Sequence, residues 1–311
     1  MDTIIWETSF ITQDLIKYLS QIKSAIFFVT EKDGTFKCCQ SKRSIACTCI
    51  RTHRIINIKK EVHMKEWKEY LFEVNGFQMT AIYNEDTIQK VFLPLLKQLQ
   101  QLQKEKKERI IVFMAAPPAV GKTTLCEFLE YLSKQDQELT DIQALGLDGF
   151  HYHSDYINSH DAIVLGEKVP MKQVKGCPET YDTEKLRQKL EKIKTEDILW
   201  PIYDRNLHDV VEDQIKVTKD IILIEGNWLL LKQEPWKSMQ KYADYKILIL
   251  AEEEMLKERL ISRKEKGGLT REEAVAWYQN SDSKNVTRVL RDSLQGDLLL
   301  KVEEDNDYIK M

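Results

Sequence analysis

Residues 112–125 read VFMAAPPAVGKTTL, and the fold turns on how this stretch is understood. It closes on Gly121-Lys122-Thr123-Thr124, the second half of a phosphate-binding loop, but the glycine that opens such a loop is replaced by Ala116. Context decides between a nucleotide site and an ordinary strand–turn–helix. RIIVFMAA (109–116) supplies an apolar run suited to a buried strand, and TTLCEFLEYL (123–132) has helical spacing. A phosphate binds where backbone N–H groups converge at a helix N-terminus, which is where this order places Ala119, Val120, Gly121, Lys122, Thr123 and Thr124. Gly121 lets the chain turn closely, Lys122 can reach the β- and γ-phosphates of a nucleotide, and the Thr123 hydroxyl suits Mg²⁺. Pro117 and Pro118 fix φ and remove donors, so the cradle falls mostly to residues 119–124.

Working outward, the chain from residue 110 repeats one pattern. ALGLD (144–148), ILWPIYD (198–204), DIILIEG (220–226) and YKILILA (245–251) are short, nearly continuous apolar runs. Strands buried on both faces of a parallel sheet look like this. Helical spacing falls between some of them, at 123–133, 183–193 and 253–264. Thr270 with Glu273 forms a capping box for a further helix over about 271–279. The alternation predicts an α/β fold, a P-loop NTPase-type parallel sheet flanked by helices, with right-handed crossovers.

The N-terminal part reads differently. Leu15, Ile16, Leu19 and Ile22 give helical spacing over 12–23, and AIFFVTEKDGTFKCC (25–39) is two strand-like runs around Asp33-Gly34. YLFEVNGFQMTAIY (70–83) repeats the hairpin logic around Asn75-Gly76, where both turn residues need positive φ. Asp86 is placed to cap a helix with Ile88, Val91, Phe92, Leu95, Leu99 and Leu102 on one face, bent near its start by Pro94. The charge run KEKKER (104–109) marks a boundary. Three segments follow: a small α+β accessory unit over 1–68, a hairpin and helix over 69–108, and the main domain over 109–311. Cys38, Cys39, Cys47 and Cys49 crowd the first segment, while Cys126 and Cys177 stand alone. Their spacing is no C-x2-C knuckle, so reduced, partly buried thiols are the expectation and a zinc site the alternative.

The 311 residues are 42% hydrophobic and 31% charged, a globular composition. A net charge of -4 gives no electrostatic reason to expect nucleic acid or an anionic membrane as partner. No run approaches the length that crosses a bilayer, and MDTIIWETSF lacks the basic start and apolar stretch of a secretory signal. A cytoplasmic location is expected.

LGLDGFHYHSDY (145–156) answers where a phosphate would go. Asp148 ends an apolar run and should project from the carboxyl end of a strand, where ligands bind in open α/β sheets. There it can take a proton from an attacking hydroxyl or hold Mg²⁺ through water; a turn or cap aspartate is the plainer reading. Phe150, Tyr152 and Tyr156 could wall a small-molecule pocket. Glu225 ends DIILIEG in the same way, as an acidic residue beside a metal or as a simple strand-end carboxylate.

In order along the chain, APPAVGKTTL, LDGFHY, KGCPETYD, PIYDRNLHD, IEGNWLLL and RLISRKEKGGLTREEA resemble the P-loop kinases grouped with uridine kinase, phosphoribulokinase and bacterial-type pantothenate kinase. The nearest likeness is to the nucleoside kinase-like, or fructose-transport-system kinase-like, branch, over roughly residues 70 to 290. That resemblance implies a catalytic or Mg-linked Asp148, Lys122 and Thr123 on phosphate and metal, and Glu225 supporting the metal. It implies His151, Lys175, Tyr181, Tyr203 and Arg205 along the acceptor pocket, and Arg259 and Arg263 on a lid. Arg259 and Arg263 sit four apart and can point at the same phosphates; a solvated face laced with Glu258 and Glu265 is the alternative. Lys175 and Arg205 could instead form structural ion pairs, and His208 reads as a surface loop residue. The branch carries glycine where this chain has Ala119, which implies weaker magnesium-nucleotide binding.

The resemblance implies ATP-dependent phosphorylation of a hydroxyl on a small molecule such as a sugar, a nucleoside or a pantothenate-like compound, with Mg²⁺ as cofactor. A weakly active, metabolite-sensing relative on the same fold is the alternative. A GTPase-type switch is disfavoured by the absence of an Asn-Lys-x-Asp tetrad. A homodimer is left open.

Overall fold

The computed structural model describes residues 27–30, 36–39, 65–74 and 77–311. The chain divides into two compact units, Met1–His63 and Met64–Met311. In the first unit β1 (Phe27–Thr30) pairs antiparallel with β2 (Phe36–Cys39), Phe27 opposite Cys39, as the Asp33-Gly34 signal predicts. The expected 12–23 helix and Cys47 and Cys49 lie outside the described residues, and only the backbone is described at Cys38 and Cys39.

The second unit opens with β3 (Trp67–Val74) and β4 (Phe77–Asn84), antiparallel from Trp67↔Asn84 to Val74↔Phe77. Alternation puts Tyr70 and Phe72 of β3 inward, where they meet Phe128 at 4.9 and 5.8 Å between ring centroids. The helical run that follows is capped by Asn84, whose side chain accepts from the Asp86 N–H at 3.2 Å. Asp86, the expected cap, falls inside the first turn and ion-pairs with Lys90. The run widens to a π turn over Ile88–Phe92 before α1 (Leu93–Lys106). Pro94 sits at its start and has no N–H to give the preceding turn, so the expected disturbance takes the form of that π turn.

Then come β5 (Ile110–Ala115), α2 (Lys122–Gln135), β6 (Ile142–Gly146), α3 (Ser154–Ser159), β7 (Asp161–Val164), β8 (Glu167–Pro170), α4 (Thr183–Lys192), β9 (Ile198–Asp204), β10 (Asp209–Val217), β11 (Ile221–Gly226), β12 (Tyr245–Ala251), α5 (Glu253–Lys266), α6 (Arg271–Trp277), α7 (Ser283–Asp292), β13 (Leu298–Val302) and β14 (Tyr308–Lys310). The main sheet runs β14-β13-β12-β5-β11-β6, parallel except for β14. All six residues of β5 and of β11 are buried, as continuous apolar strands at the centre of a sheet require. One core, around Phe92, Leu99, Phe128 and Leu256, packs α1, α2 and α5 on one face. A second core, around Phe150, Leu186, Trp200, Trp228 and Trp236, fills the other.

The sequence places ILWPIYD in that sheet, and the structure does not. β9 pairs antiparallel with β10 in a separate two-stranded ribbon. Pro201 in mid-strand has no ladder N–H, and two of the first three residues point inward while Leu199 stays exposed, the marks of a strand buried on one face. Helix α6 carries the expected capping box in full, then passes into a π turn over Tyr278–Asp282. No helix among the described residues is long and apolar enough to cross a membrane.

Candidate active site

The loop between β5 and α2 lies at the carboxyl edge of the sheet. Its backbone turns through left-handed φ at Ala119 (62°) and Gly121 (97°) before α2 starts at Lys122. The Thr123 hydroxyl donates to Glu225 Oε1 at 2.7 Å, and Lys122 Nζ stands 3.7 Å from Glu225 Oε2. Register explains this meeting: Glu225 is level with Met114 on β5 and Gly146 on β6, the ends of both neighbouring strands. Arg259 of α5 reaches the loop, its Nη1 donating to the carbonyls of Ala119 (3.2 Å) and Val120 (3.3 Å). Its Nη2 donates to Asn306 Oδ1, on the turn between β13 and β14.

Asp148 sits in a tight turn, Leu147–Phe150, just past the end of β6. Gly149 in that turn packs so closely on β9 that a Cβ would lie 2.2 Å from the Pro201 carbonyl oxygen. Asp148 is exposed to solvent, and Tyr181 donates its hydroxyl to Oδ1 at 3.1 Å. Surrounding protein works to raise the Asp148 carboxyl, but His151 in its charged form, Lys122, the Tyr181 hydroxyl and Arg205 outweigh it and hold the group below the ordinary range. Burial raises Glu225 instead, opposed by Lys122 and assisted by the negative charge of Asp148. Environment therefore drives the two carboxyls apart, Asp148 downward and Glu225 upward.

His151 Nδ1 lies 2.9 Å from the Asp148 carbonyl oxygen. A carbonyl only accepts, so Nδ1 carries the hydrogen and Nε2 keeps its lone pair. Burial lowers the His151 pKa, with Asp148 opposing and Lys175 assisting, so the ring is neutral near pH 7. His151, Tyr181 and Tyr203 form a wall, with ring centroids 3.9 Å apart for the first pair and 5.6 Å for His151 and Tyr203. Lys175 Nζ lies 5.0 Å from the Tyr203 ring and donates to the His208 carbonyl at 3.1 Å. Arg205 is exposed on the turn after β9, and neither Lys175 nor Arg205 forms an ion pair among the described residues. His208 is an exposed turn residue at φ 53°. Phe150 is not a pocket wall: it is fully buried, edge-on to Trp200 at 4.7 Å. Tyr152, just before α3, and Tyr156 within it stack on one another at 4.5 Å.

The two arginines of α5 part company. Arg259 is tucked against the phosphate loop, while Arg263 is exposed. Glu258 and Glu265 do not lace these arginines but pair with Arg271, at 2.9 and 3.2 Å. Three residues escape the sequence reading. Glu127, four after Thr123 on the same face of α2, has a buried, unpartnered Oε2; burial, then Glu225 and Glu130, push its pKa up to about 7. Helical spacing from Thr123 could have found it. Asn306 and Tyr308, whose hydroxyl would lie 3.5 Å from a Cβ on Gly121, come from the far end of the chain and carry no local signal.

The Thr123 hydroxyl and the Glu225 carboxylate are hard oxygen donors side by side, a set that suits Mg²⁺. No group of three or more His, Cys, Asp or Glu among the described residues could cage a metal alone.

No family model matches the chain. It is 43% identical over 236 residues to the uncharacterized protein YggC of Escherichia coli strain K12, covering 76% of this chain and 96% of that protein. It is 28% identical over 202 residues to a protein of Schizosaccharomyces pombe named "Putative uridine kinase C227.14", covering 63% of this chain and 84% of that one. Among solved structures, the "putative fructose transport system kinase" of Silicibacter sp. TM1040 superposes with a TM-score of 0.56 at 26% identity, covering 66% of this chain and 98% of that one.

Proposed function

The chain belongs to the family of Escherichia coli YggC, among the P-loop kinases grouped with uridine kinase and pantothenate kinase, and from that premise we propose that it transfers the γ-phosphate of ATP to a hydroxyl of a small molecule. One observation carries this reading. Asp148 accepts from the Tyr181 hydroxyl at 3.1 Å, and the charge of Lys122 helps hold its carboxyl below the ordinary range. Lys122 and the loop amides bind the phosphates, Asp148 takes the proton of the attacking hydroxyl, and His151 Nε2 accepts a hydrogen bond from the acceptor. Mg²⁺, held by Thr123 and Glu225, would supply charge neutralisation between the β- and γ-phosphates. Arg259 braces the loop through the Ala119 and Val120 carbonyls, and Arg263, exposed on the same helix, would add charge to the phosphates.

The test is ADP formation from ATP over a panel of sugars, nucleosides and hydroxy acids, with wild type and Asp148→Asn. The near-isosteric variant should bind ATP and melt like wild type, yet turn over about 10²- to 10⁴-fold more slowly. Turnover within a few-fold of wild type removes Asp148 from the mechanism. The reading of a weakly active metabolite sensor rests on one feature, the alanine at φ 62° in the phosphate loop. A chain that binds ATP and forms no ADP with any acceptor would favour it.

A further inference from the structure

Lys175 and Arg205 form no ion pair among the described residues. Lys175 is presented by an anchored loop: the Gly176 carbonyl accepts from Trp228 Nε1 at 3.1 Å, and the Gly176 N–H donates to Thr180 Oγ1 at 3.1 Å. Trp228 and Thr180 are both fully buried, so the loop is fixed while the half-buried Lys175 ammonium uses one of its three donors, on the His208 carbonyl. Arg205, on the same β9–β10 turn, makes no hydrogen bond among the described residues, and its charge is felt by Asp148.

The neighbouring carboxylates are engaged elsewhere. Asp204 accepts from the N–H groups of Asn206 (2.7 Å) and Leu207 (3.1 Å), and Asp209 from that of Ser154 (2.9 Å). Glu212 pairs with Lys185 and with His153, and Glu179 is held bidentately by Arg288 at 2.8 and 3.0 Å. Glu127 also feels Arg205, but its burial keeps it largely protonated below neutral pH. Asp148 is committed to the hydroxyl that reacts. A half-buried ammonium with donors to spare gains little from a neutral polyol and much from an anion.

We propose that the acceptor carries an anionic group, a carboxylate or a phosphate monoester, in addition to the hydroxyl that is phosphorylated, and that Lys175 and Arg205 bind that group. The inference rests on the kinase reading of the same site. His151 Nε2 and Asp148 take hydroxyls, Lys175 and Arg205 take the anion, and the Tyr203 ring between them backs the carbon frame.

ADP formation is measured with ATP and Mg²⁺ against three arms: neutral sugars and nucleosides, sugar phosphates with free hydroxyls, and hydroxy acids. Turnover is expected in the second or third arm, with kcat/KM at least about tenfold above the neutral counterpart, and the arm that responds identifies the anion. Lys175→Met should lower kcat/KM for that acceptor by about 10- to 100-fold, with the KM for ATP unchanged. Lys172→Met, exposed on the neighbouring turn, should change neither. A neutral acceptor turned over as well as its anionic counterpart overturns the proposal, as does Lys175→Met without effect. A chain that binds ATP but turns over nothing in any arm defeats the kinase reading instead, and this inference falls with it.

Discussion

Ala119 is the non-glycine residue of this loop that sits in the left-handed region. A φ of 62° brings its Cβ close to the following carbonyl, a strain of about 1–2 kcal/mol that glycine would not feel. The conformation is held from outside: Arg259 takes the carbonyls of Ala119 and Val120, and Asn306 takes Arg259. Ala119→Gly should therefore bind ADP as tightly as wild type or more tightly, read by titration calorimetry. A large loss would mean the methyl group itself shapes the loop. Asn306 lies at φ 71°, so Asn306→Gly relieves strain while deleting the acceptor for Arg259. Its melting temperature should hold while its ADP affinity falls several-fold, and the fall should shrink when Ala119→Gly is also present. Equal falls in both backgrounds would separate the brace from the strained residue. The departure at 119 was legible in the sequence, and the brace was not, because Arg259 and Asn306 meet across 47 positions with nothing local to link them.

At the scale of the element, α2 shows how a periodic face carries both chemistry and cost. Thr123 and Glu127 share one face of the helix, and both look toward Glu225. Glu127 is charged only at the expense of a buried, unpartnered oxygen and a nearby like charge. The folded protein keeps this proton up to about pH 7, whereas the unfolded chain gives it up near 4.5. Stability from this group is thus full below pH 4.5 and is lost as pH rises through 7. Glu127→Gln stays neutral, so its stability should vary less over that window and should exceed wild type by about 1–2 kcal/mol at pH 8. Urea unfolding at about pH 5 and 8 checks this; a variant less stable at both would mean the carboxylate is satisfied in solution. Elements of this kind were readable from periodicity, as were β5, β11, β12 and the capping box at Thr270. β9 was misread because a short apolar run looks the same in a central parallel strand and in a ribbon with one face buried. The proline in its middle was the available clue.

At the scale of the molecule, the Met64–Met311 unit closes on itself through its two ends. Asp307, buried near the C-terminus, accepts from Thr87 Oγ1 at 2.5 Å and Asn84 Nδ2 at 2.9 Å, and pairs with Lys65 Nζ at 2.9 Å. Lys65 also pairs with Asp305 and Glu303, so three acidic groups of the final turn converge on one ammonium. Near this turn Asn306 holds Arg259, and the Tyr308 hydroxyl lies where a Cβ on Gly121 would meet it at 3.5 Å. The start of the unit thus supports the loop after β5 by way of its end. The sequence places a boundary near residue 68, from the change of pattern and a resemblance that starts near residue 70, and a lone lysine three residues earlier has no pattern to mark it as part of the core. The ion pairs make a sharper statement. A chain beginning at Met64 should be soluble, unfold in one cooperative step and bind ADP. A chain beginning at Glu69 loses Lys65 and the first strand residues, and leaves Asp307 buried with its hydrogen bonds but without its cation. Loss of that partner should cost about 1–3 kcal/mol, less than the full penalty for an orphaned buried charge because Thr87 and Asn84 remain. In a unit of this size that lowers the melting temperature by roughly 2–10 °C. Lys65→Met in the full chain should reproduce most of the loss, since it removes the charge and keeps the strand. Equal melting temperatures for the chains from Met64 and Glu69 would show that the final turn stands without its lysine.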